Sequence, residues 1–277
     1  VDTPAIAFSD QDIAQITALI YRWTGMTFGA GKRYYIERRI AERMRRRSAA
    51  DVRSYLALLT SDAAERETLT NAFTINETYF FREDHQFAAL SAEILPDIVS
   101  RKRPGDLVRI WSLPCSTGDE PYSIAIWLLE HWPLVDAYNI EIVGSDIDTA
   151  AIEAARAGLF ASRALARLSP ELVERYFEPE HHHRRKIIDD LRESVHFTPA
   201  NLCDAASLDP LGRFDVIFCR NLLIYFDDAS RETAARNLHD RLVPGGYLCL
   251  GHSESMTRIS DSFGMVRLDD AIVYRRM

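Results

Sequence analysis

The chain has 277 residues, 47% of them hydrophobic, and a formal net charge of −8. That length can bury a substantial core in one large or two modest domains, and no apolar run approaches the roughly 20 residues of a bilayer-spanning helix, so no membrane insertion is expected. The charge is uneven: residues 32–47 carry eight Lys or Arg against Glu37 and Glu42, a local +6 that leaves −14 for the rest, the mark of a docking face for an acidic partner. The chain opens on Val1, as a trimmed chain would, and its first twelve residues lack the basic and apolar regions of an export signal. Cys115, Cys203, Cys219 and Cys249 form no CxxC pair, so neither zinc nor a disulfide framework is expected and the reading is a cytoplasmic protein with reduced thiols.

In chain order, Ser9 caps a first helix that runs to about Trp23, with Gly25 as its stop. Tyr35, Ile36, Ile40 and Met44 recur at helical spacing through the basic segment, and residues 51–59 and 62–73 read as two further short helices. Residues 74–83, TINETYFFRE, are too polar and too aromatic for a simple linker and read as an ordered lid. A helix over 84–100 follows, closed by the break Lys102-Arg103-Pro104-Gly105.

From residue 106 the pattern changes to alternation. Apolar strands are expected at 107–111, 140–144, 195–198, 214–219 and 247–251, and helices at 120–131, 149–157 and 229–242. Strands apolar on both faces, alternating with helices, predict an α/β fold with a mostly parallel, doubly covered sheet. Residues 264–275 suit an antiparallel pair at one edge. Residues 158–194 interrupt the alternation as an insertion, with a short helix from Ser169-Pro170 and a small hairpin over 185–196. The domain reading is an all-helical 1–75, a linker and connecting helix 76–104, and an α/β domain 105–277 with the inserted β-subdomain at about 158–194.

Four constellations carry chemistry. The turn Ser116-Thr117-Gly118-Asp119-Glu120-Pro121 joins a strand to a helix start; its carboxylates suit a cationic or hydroxyl-rich ligand, or else only complement the helix dipole. Both the Walker and the dinucleotide fingerprints are missing from the sequence. In Ser145-Asp146-Ile147-Asp148, Asp146 stands at a strand tip where a ribose is commonly held, and Asp148 caps the next helix. Phe214 to Asp228, FDVIFCRNLLIYFDD, ends a buried strand in Arg220 and Asn221, with Tyr225 on the following loop as a site residue or a core aromatic. Asn76 to Glu83, NETYFFRE, contains Arg82, a site cation or a surface ion-pair partner. His181-His182-His183 reads as a polar loop, because nothing nearby completes a metal-ligand set.

NETYFFRE, WSLPCSTGDEPYS, SDID, FCRNLLIYF and LVPGGYLCLGHSES, in that order, resemble the chemotaxis-receptor glutamate methyltransferases (CheR-type) over nearly the whole chain. The resemblance implies a Rossmann-like methyltransferase domain behind a small all-α domain. It also implies S-adenosylmethionine as cofactor, with S-adenosylhomocysteine as product, and glutamate carboxylates on the cytoplasmic helical bundle of chemoreceptors as acceptors. Carried over by motif, the cofactor contacts are Asn76, Thr78, Arg82, Glu120, Asp146, Asn201, Leu202, Arg220 and Asn221. Leu113-Pro114 stand where the family usually has small residues, and Asp119 where it often has Glu; Glu120 is kept. Residues 178–194 hold no glycine, unlike the relatives that tether to a receptor's C-terminal pentapeptide, so no tether is expected. Arg82 is nominated to orient the acceptor carboxylate and Tyr225 to shape its slot, with the basic segment 32–47 docking the receptor. The competing readings are a non-catalytic adenosyl-ligand-binding regulatory module and a methyltransferase for another acceptor. A nucleic-acid partner ranks below both, since most of the chain is acidic and no DNA-binding motif appears.

Overall fold

A computed structural model describes residues 7–277. The chain forms two compact units: one comprises the residues up to Ile75 together with Tyr225–Ser230, the other Asn76–Ile224 and Arg231–Met277.

The first unit is built on four helices, α1 (Asp10–Thr24), α2 (Arg33–Arg46), α3 (Val52–Ser61) and α4 (Ala63–Phe73). Ser9 and Asp12 form a reciprocal capping box at the start of α1, and Gly25, at φ 74°, ends it by donating to the Tyr21 carbonyl. Asp51 and Asp62 cap α3 and α4. Ile16 and Ile20 of α1, Ile36, Ile40 and Met44 of α2, Tyr55 and Leu59 of α3, and Leu69 and Phe73 of α4 are buried, each set at helical spacing. The late segment joins this unit by backbone pairing: Thr27 N donates to Tyr225 O at 2.9 Å, and Met26 bridges Phe226.

Four of the cations in the basic segment are used inside this unit. Arg43 makes a two-pronged contact with Glu65, 2.9 and 2.5 Å, where the Tyr55 hydroxyl also donates at 2.7 Å. Arg47 reaches Asp62 at 2.6 Å, Arg46 reaches Glu42 at 2.7 Å, and Arg33 reaches Glu37 at 2.7 Å. Lys32, Arg38 and Arg45 remain exposed.

The second unit opens with α5 (His85–Ala89), a π-helical turn Leu90–Ile94 and α6 (Leu95–Val99), so the single helix expected over 84–100 carries a π segment at its centre. Then follow β1 (Leu107–Ser112), α7 (Asp119–His131), β2 (Asn139–Asp146), α8 (Thr149–Ala157), β3 (Leu159–Ala161), α9 (Pro170–Tyr176), β4 (Arg184–Lys186) and α10 (Asp189–Ser194). The chain continues through β5 (Val195–Pro199), α11 (Ala205–Leu208), β6 (Phe214–Cys219), α12 (Asp228–Arg241), β7 (Leu242–Leu250), β8 (Phe263–Arg267) and β9 (Ile272–Arg276). The seven-stranded sheet has the order β5-β2-β1-β6-β7-β9-β8. Its first five strands are mutually parallel, and the β9–β8 pair closes the edge antiparallel, as the tail pattern predicts. All six residues of β6 are buried, as a central parallel strand requires.

The insertion departs from the expected hairpin over 185–196. Residues 184–186 pair instead with Leu159–Ala161, and 189–194 turn into α10. Asp189 and Asp190 occupy the first turn of that helix, where carboxylates favour the dipole, and Leu191 is its buried anchor.

Glu65 is almost fully buried, with 1% of its side chain exposed. Removing its principal cation strands a charge that cannot be rehydrated. Arg43→Met is therefore expected to destabilise the helical unit by about 3 kcal/mol, read as a lower chemical-denaturation midpoint, whereas Tyr55→Phe should cost only about 1 kcal/mol.

Candidate functional site

The parallel strands bring their C-terminal ends to one sheet edge, and the chain order reverses beside β1, between β2 and β6, where open α/β sheets bind ligands. The residues after β1, β2, β5, β6 and β7 therefore gather there.

Gly118 sits at φ 92° ahead of α7, and a Cβ on it would lie 2.9 Å from the Ala155 Cβ and 3.2 Å from the Phe197 ring. Only glycine allows this turn so close to α8. Ser116 N then donates to Asp146 at 2.8 Å, and Asp148 N donates to the other Asp146 oxygen at 2.9 Å. Asp146 thus staples the turn after β1 to the turn after β2. Burial pushes its carboxyl up to about 6, against the backbone N–H groups of Asp148, Ser116 and Ile147 and with help from the neighbouring Asp148 charge. Burial likewise pushes Asp119 up to about 6, although Thr117 donates to it at 2.7 Å and Arg163 pulls it down.

Asp148 caps α8, accepting from the backbone of Ala150 and Ala151. Asn76 Nδ2 donates to its other oxygen at 2.7 Å, while Asn76 Oδ1 accepts from the Ser116 hydroxyl at 3.2 Å. One amide therefore ties the start of the NETYFFRE segment to both turns. Thr78 is half-buried beyond it.

Arg220, at the tip of β6, is the centre of the site. Only 2% of its side chain is exposed. Its Nη1 donates to Glu120 at 2.7 Å, and its Nη2 donates to the Arg82 carbonyl at 2.7 Å and lies 3.1 Å from Glu83. Burial opposes its charge, but Glu120 and Glu83 together hold its pKa above the ordinary value. The second Glu120 oxygen accepts from the Ser112 hydroxyl at 2.7 Å. Glu83 is further held by His252 Nδ1 at 2.9 Å and Gln86 Nε2 at 3.1 Å. Burial raises the Glu83 carboxyl, but Arg220 and His252 outweigh it and leave it below its usual value.

Arg82 is half-buried and is flanked by two residues with positive φ, Phe81 and Glu83, both at 56°. This strained turn is stabilised by Phe81 N donating to the Ser123 hydroxyl at 3.0 Å and by the Arg220 bond to the Arg82 carbonyl. The Arg82 side chain donates to the Glu77 carbonyl at 2.8 Å, in place of the surface ion pair weighed from sequence.

Asn221 has φ 59°, and Glu254 holds it there. The Glu254 carboxylate accepts from the backbone N–H of Asn221 at 2.7 Å, Leu223 at 2.7 Å and Gly251 at 2.9 Å. After β5, Asn201 Oδ1 accepts from Cys203 N at 2.9 Å and the Leu202 carbonyl accepts from Asn237 at 2.7 Å. Tyr225 ends a 3-10 turn over Leu223–Tyr225, and its carbonyl belongs to the first unit's pairing.

Of the sequence candidates in the second unit, Asn76 and Asp146 share the partners Ser116 and Asp148, Glu120 and the Arg82 carbonyl meet at Arg220, and Asn221 is held apart from both groups by Glu254. Glu83, Ser112 and His252, which complete the Arg220 group, and Glu254, which holds Asn221, were not picked out from sequence. Glu83 and Glu254 lie inside conspicuous motifs, yet their roles depend on partners 137 and 33 residues distant. With Arg220 neutralised by two carboxylates, Asp119, Asp146 and Asp148 leave the edge acidic. Such an edge suits a cationic, hydroxyl-bearing ligand and opposes a pyrophosphate. An apolar cavity of about 400 Å³ under α7, lined by Leu128, Ile140, Ile142, Tyr176 and Leu191, is separate from it.

The family model for the CheR methyltransferase SAM-binding domain matches residues 76–272, and that for the CheR methyltransferase all-alpha domain matches 11–74. The chain is 45% identical to chemotaxis protein methyltransferase 2 of Vibrio cholerae, covering 97% of this chain and 94% of the relative. It is 39% identical to the chemotaxis protein methyltransferase of Klebsiella aerogenes, covering 93% and 88%.

Glu254→Gln turns one acceptor oxygen into an NH2 facing a backbone N–H. The amides of Asn221, Leu223 and Gly251 should then exchange with solvent faster by hydrogen-exchange mass spectrometry, with unfolding free energy lowered by about 2 kcal/mol.

Proposed function

The chain belongs to the CheR methyltransferase family, and on that premise we propose that it esterifies glutamate side chains of chemoreceptors. It is an S-adenosylmethionine-dependent methyltransferase of chemotaxis. The finer reading concerns the acceptor and the residues that serve it. The observation that carries it is the acidic edge around Asp146, together with the Arg82 side chain, which is bound only to a neutral carbonyl among its hydrogen bonds in the described residues.

S-adenosylmethionine supplies a methyl carbon on a positively charged sulfur. Asp146 is the residue for its ribose hydroxyls, since each carboxylate oxygen accepts one backbone N–H and keeps a further lone pair. Glu120 and Asn76 flank that position, with Thr78, Arg220 and Asn221 as further contacts and Asn201 and Leu202 on the adenine side. A glutamate acceptor is already ionised at neutral pH, so the chain need supply no general base. Its work is alignment and partial exclusion of water. Arg82 presents a planar fork suited to a carboxylate. Tyr225 is nominated to shape the acceptor slot on its motif alone, standing five residues after Arg220 in FCRNLLIYF. Docking of the chemoreceptor's helical bundle falls to the exposed Lys32, Arg38 and Arg45, because Arg33, Arg43, Arg46 and Arg47 are paired within their own unit.

The decisive experiment incubates the protein with methyl-labelled cofactor and a chemoreceptor cytoplasmic fragment. Label released as methanol by mild base is the expected result; base-stable label or none would sink the glutamate reading. In that assay Arg82→Ala should lower the rate at saturating cofactor, and Arg38→Glu with Arg45→Glu should raise the receptor KM about tenfold.

The Asp146 carboxyl titrates near 6. If its ionised form accepts the ribose hydroxyls, S-adenosylhomocysteine affinity should fall about tenfold from pH 7 to pH 5. Stability of the free protein runs the other way. The carboxyl's pKa is raised on folding, so its contribution is lost as pH climbs from about 4 to 6. Calorimetry with S-adenosylhomocysteine from pH 7 to pH 5 checks the first trend, and Asp146→Asn should bind weakly with most of the pH dependence gone.

A further inference from the structure

The turn after β3 carries two arginines, Arg163 and Arg167, both exposed. It is fastened to the NETYFFRE segment: Phe80 N donates to Ala164 O at 3.0 Å, and the Phe80 ring packs edge-on against Phe160 and Phe177 at 4.8 and 5.3 Å. Phe80 is fully buried, so the position of this turn relative to Arg82 is set by core packing. The guanidinium of Arg167 lies 5.4 Å from the centre of the Tyr79 ring, and that of Arg82 lies 5.8 Å from the same ring. Arg163 is near enough to Asp119 to pull that carboxyl down against burial.

None of these three arginines makes a salt bridge among the described residues, in contrast to Arg33, Arg43, Arg46, Arg47 and Arg220. A guanidinium resting on an aromatic ring is held in place through its face while its N–H edge stays available, and that edge matches a carboxylate. Two such groups, Arg82 and Arg167, share the Tyr79 ring, and Arg163 stands on the same turn as Arg167, beside a sheet edge that carries Asp119, Asp146 and Asp148. At contact, an acidic protein segment would be repelled by those carboxylates unless local cations received it.

We propose that Arg163 and Arg167, with Arg82 across the shared Tyr79, form a carboxylate-reading surface on the inserted segment that grips acidic side chains flanking the acceptor. The occupant is an acidic helical stretch of the protein substrate, whose carboxylates three or four residues apart lie on one face. This rests on the glutamate-acceptor reading above and assigns the insertion a part in substrate selection that needs no tether.

The test uses the full chain with S-adenosylhomocysteine bound, as wild type, Arg167→Glu, Arg167→Lys and Arg163→Gln. Binding of a fluorescein-labelled, Glu-rich helical peptide is followed by anisotropy at low and high salt, alongside methyl transfer to the chemoreceptor fragment. Arg167→Glu should weaken peptide binding and raise the receptor KM about tenfold, flatten the salt dependence and spare kcat and calorimetric S-adenosylhomocysteine affinity. Arg163→Gln should show a smaller loss, and Arg167→Lys should recover part of the binding through charge alone. Unchanged peptide binding and KM would overturn the proposal, as would a matching fall in S-adenosylhomocysteine affinity, which would assign these arginines to the cofactor. A wild-type protein that binds the peptide through Arg167 yet transfers no methyl to the receptor fragment would refute the acceptor reading while supporting this surface.

Discussion

Burying one guanidinium organises the C-terminal edge of the sheet. Arg220 is nearly inaccessible to water, and an isolated cation there would cost several kcal/mol. Its charge is tolerated because Glu120 comes from the start of α7, and Glu83 and the Arg82 carbonyl come from the NETYFFRE segment. Three stretches distant in sequence are thereby forced to one point. Glu120 cannot turn away without exposing Arg220, and the strained Phe81–Glu83 backbone cannot relax without breaking the bond to the Arg82 carbonyl. Arg82 is accordingly held through its main chain as well as through the bond from its side chain to the Glu77 carbonyl.

A second clamp repeats this logic with reversed sign. Glu254 is a largely buried carboxylate satisfied by backbone N–H groups, and it holds Asn221 in a left-handed conformation that costs a non-glycine residue energy. Asp146 is a third case, with one backbone donor on each oxygen. In all three the protein accepts a desolvation penalty to fix polar geometry at the edge. The raised Asp146 and Asp119 carboxyls record that penalty, and a cationic ligand is the natural means of relieving it.

Much of the architecture was legible in the sequence because it rests on period and punctuation. The parallel strands read as apolar runs, Ser9 stood at a capping position, residues 51 and 62 opened two short helices, and Gly25 and Gly118 marked turns. The antiparallel tail followed from its residual strand pattern. The insertion was misread because a hairpin and a strand followed by a helix share the same local residues. The pairing of residues 184–186 with 159–161 is a long-range choice that alternation does not encode. The π segment within 84–100 was equally invisible, since its apolar residues suit either helical period. At the site, the motifs were visible as motifs, but the roles of Glu83 and Glu254 arise from contacts between motifs. The return of Tyr225–Ser230 to the helical unit also had no sequence signal, because it rests on backbone pairing with residues 26 and 27.

The disposition of cations shows why net charge is a poor guide to what this surface attracts. The +6 of residues 32–47 suggested a basic docking face, yet Arg43 turns inward to Glu65, Arg47 pairs with Asp62 at the surface, and Arg39 stacks on Tyr35 at 4.1 Å. Within residues 32–47 the exposed cations that make no ion pair among the described residues are Lys32, Arg38 and Arg45, and in the other unit Arg163 and Arg167 are exposed on the inserted segment. At physiological ionic strength charges separated by more than about 8 Å are largely screened. The overall −8 therefore hardly repels an acidic helix at a distance, and the decision is made at contact. There, a guanidinium already seated on a ring loses less freedom on binding a carboxylate than a free side chain would. Selection of an acidic partner by an acidic enzyme needs only a few such pre-placed edges.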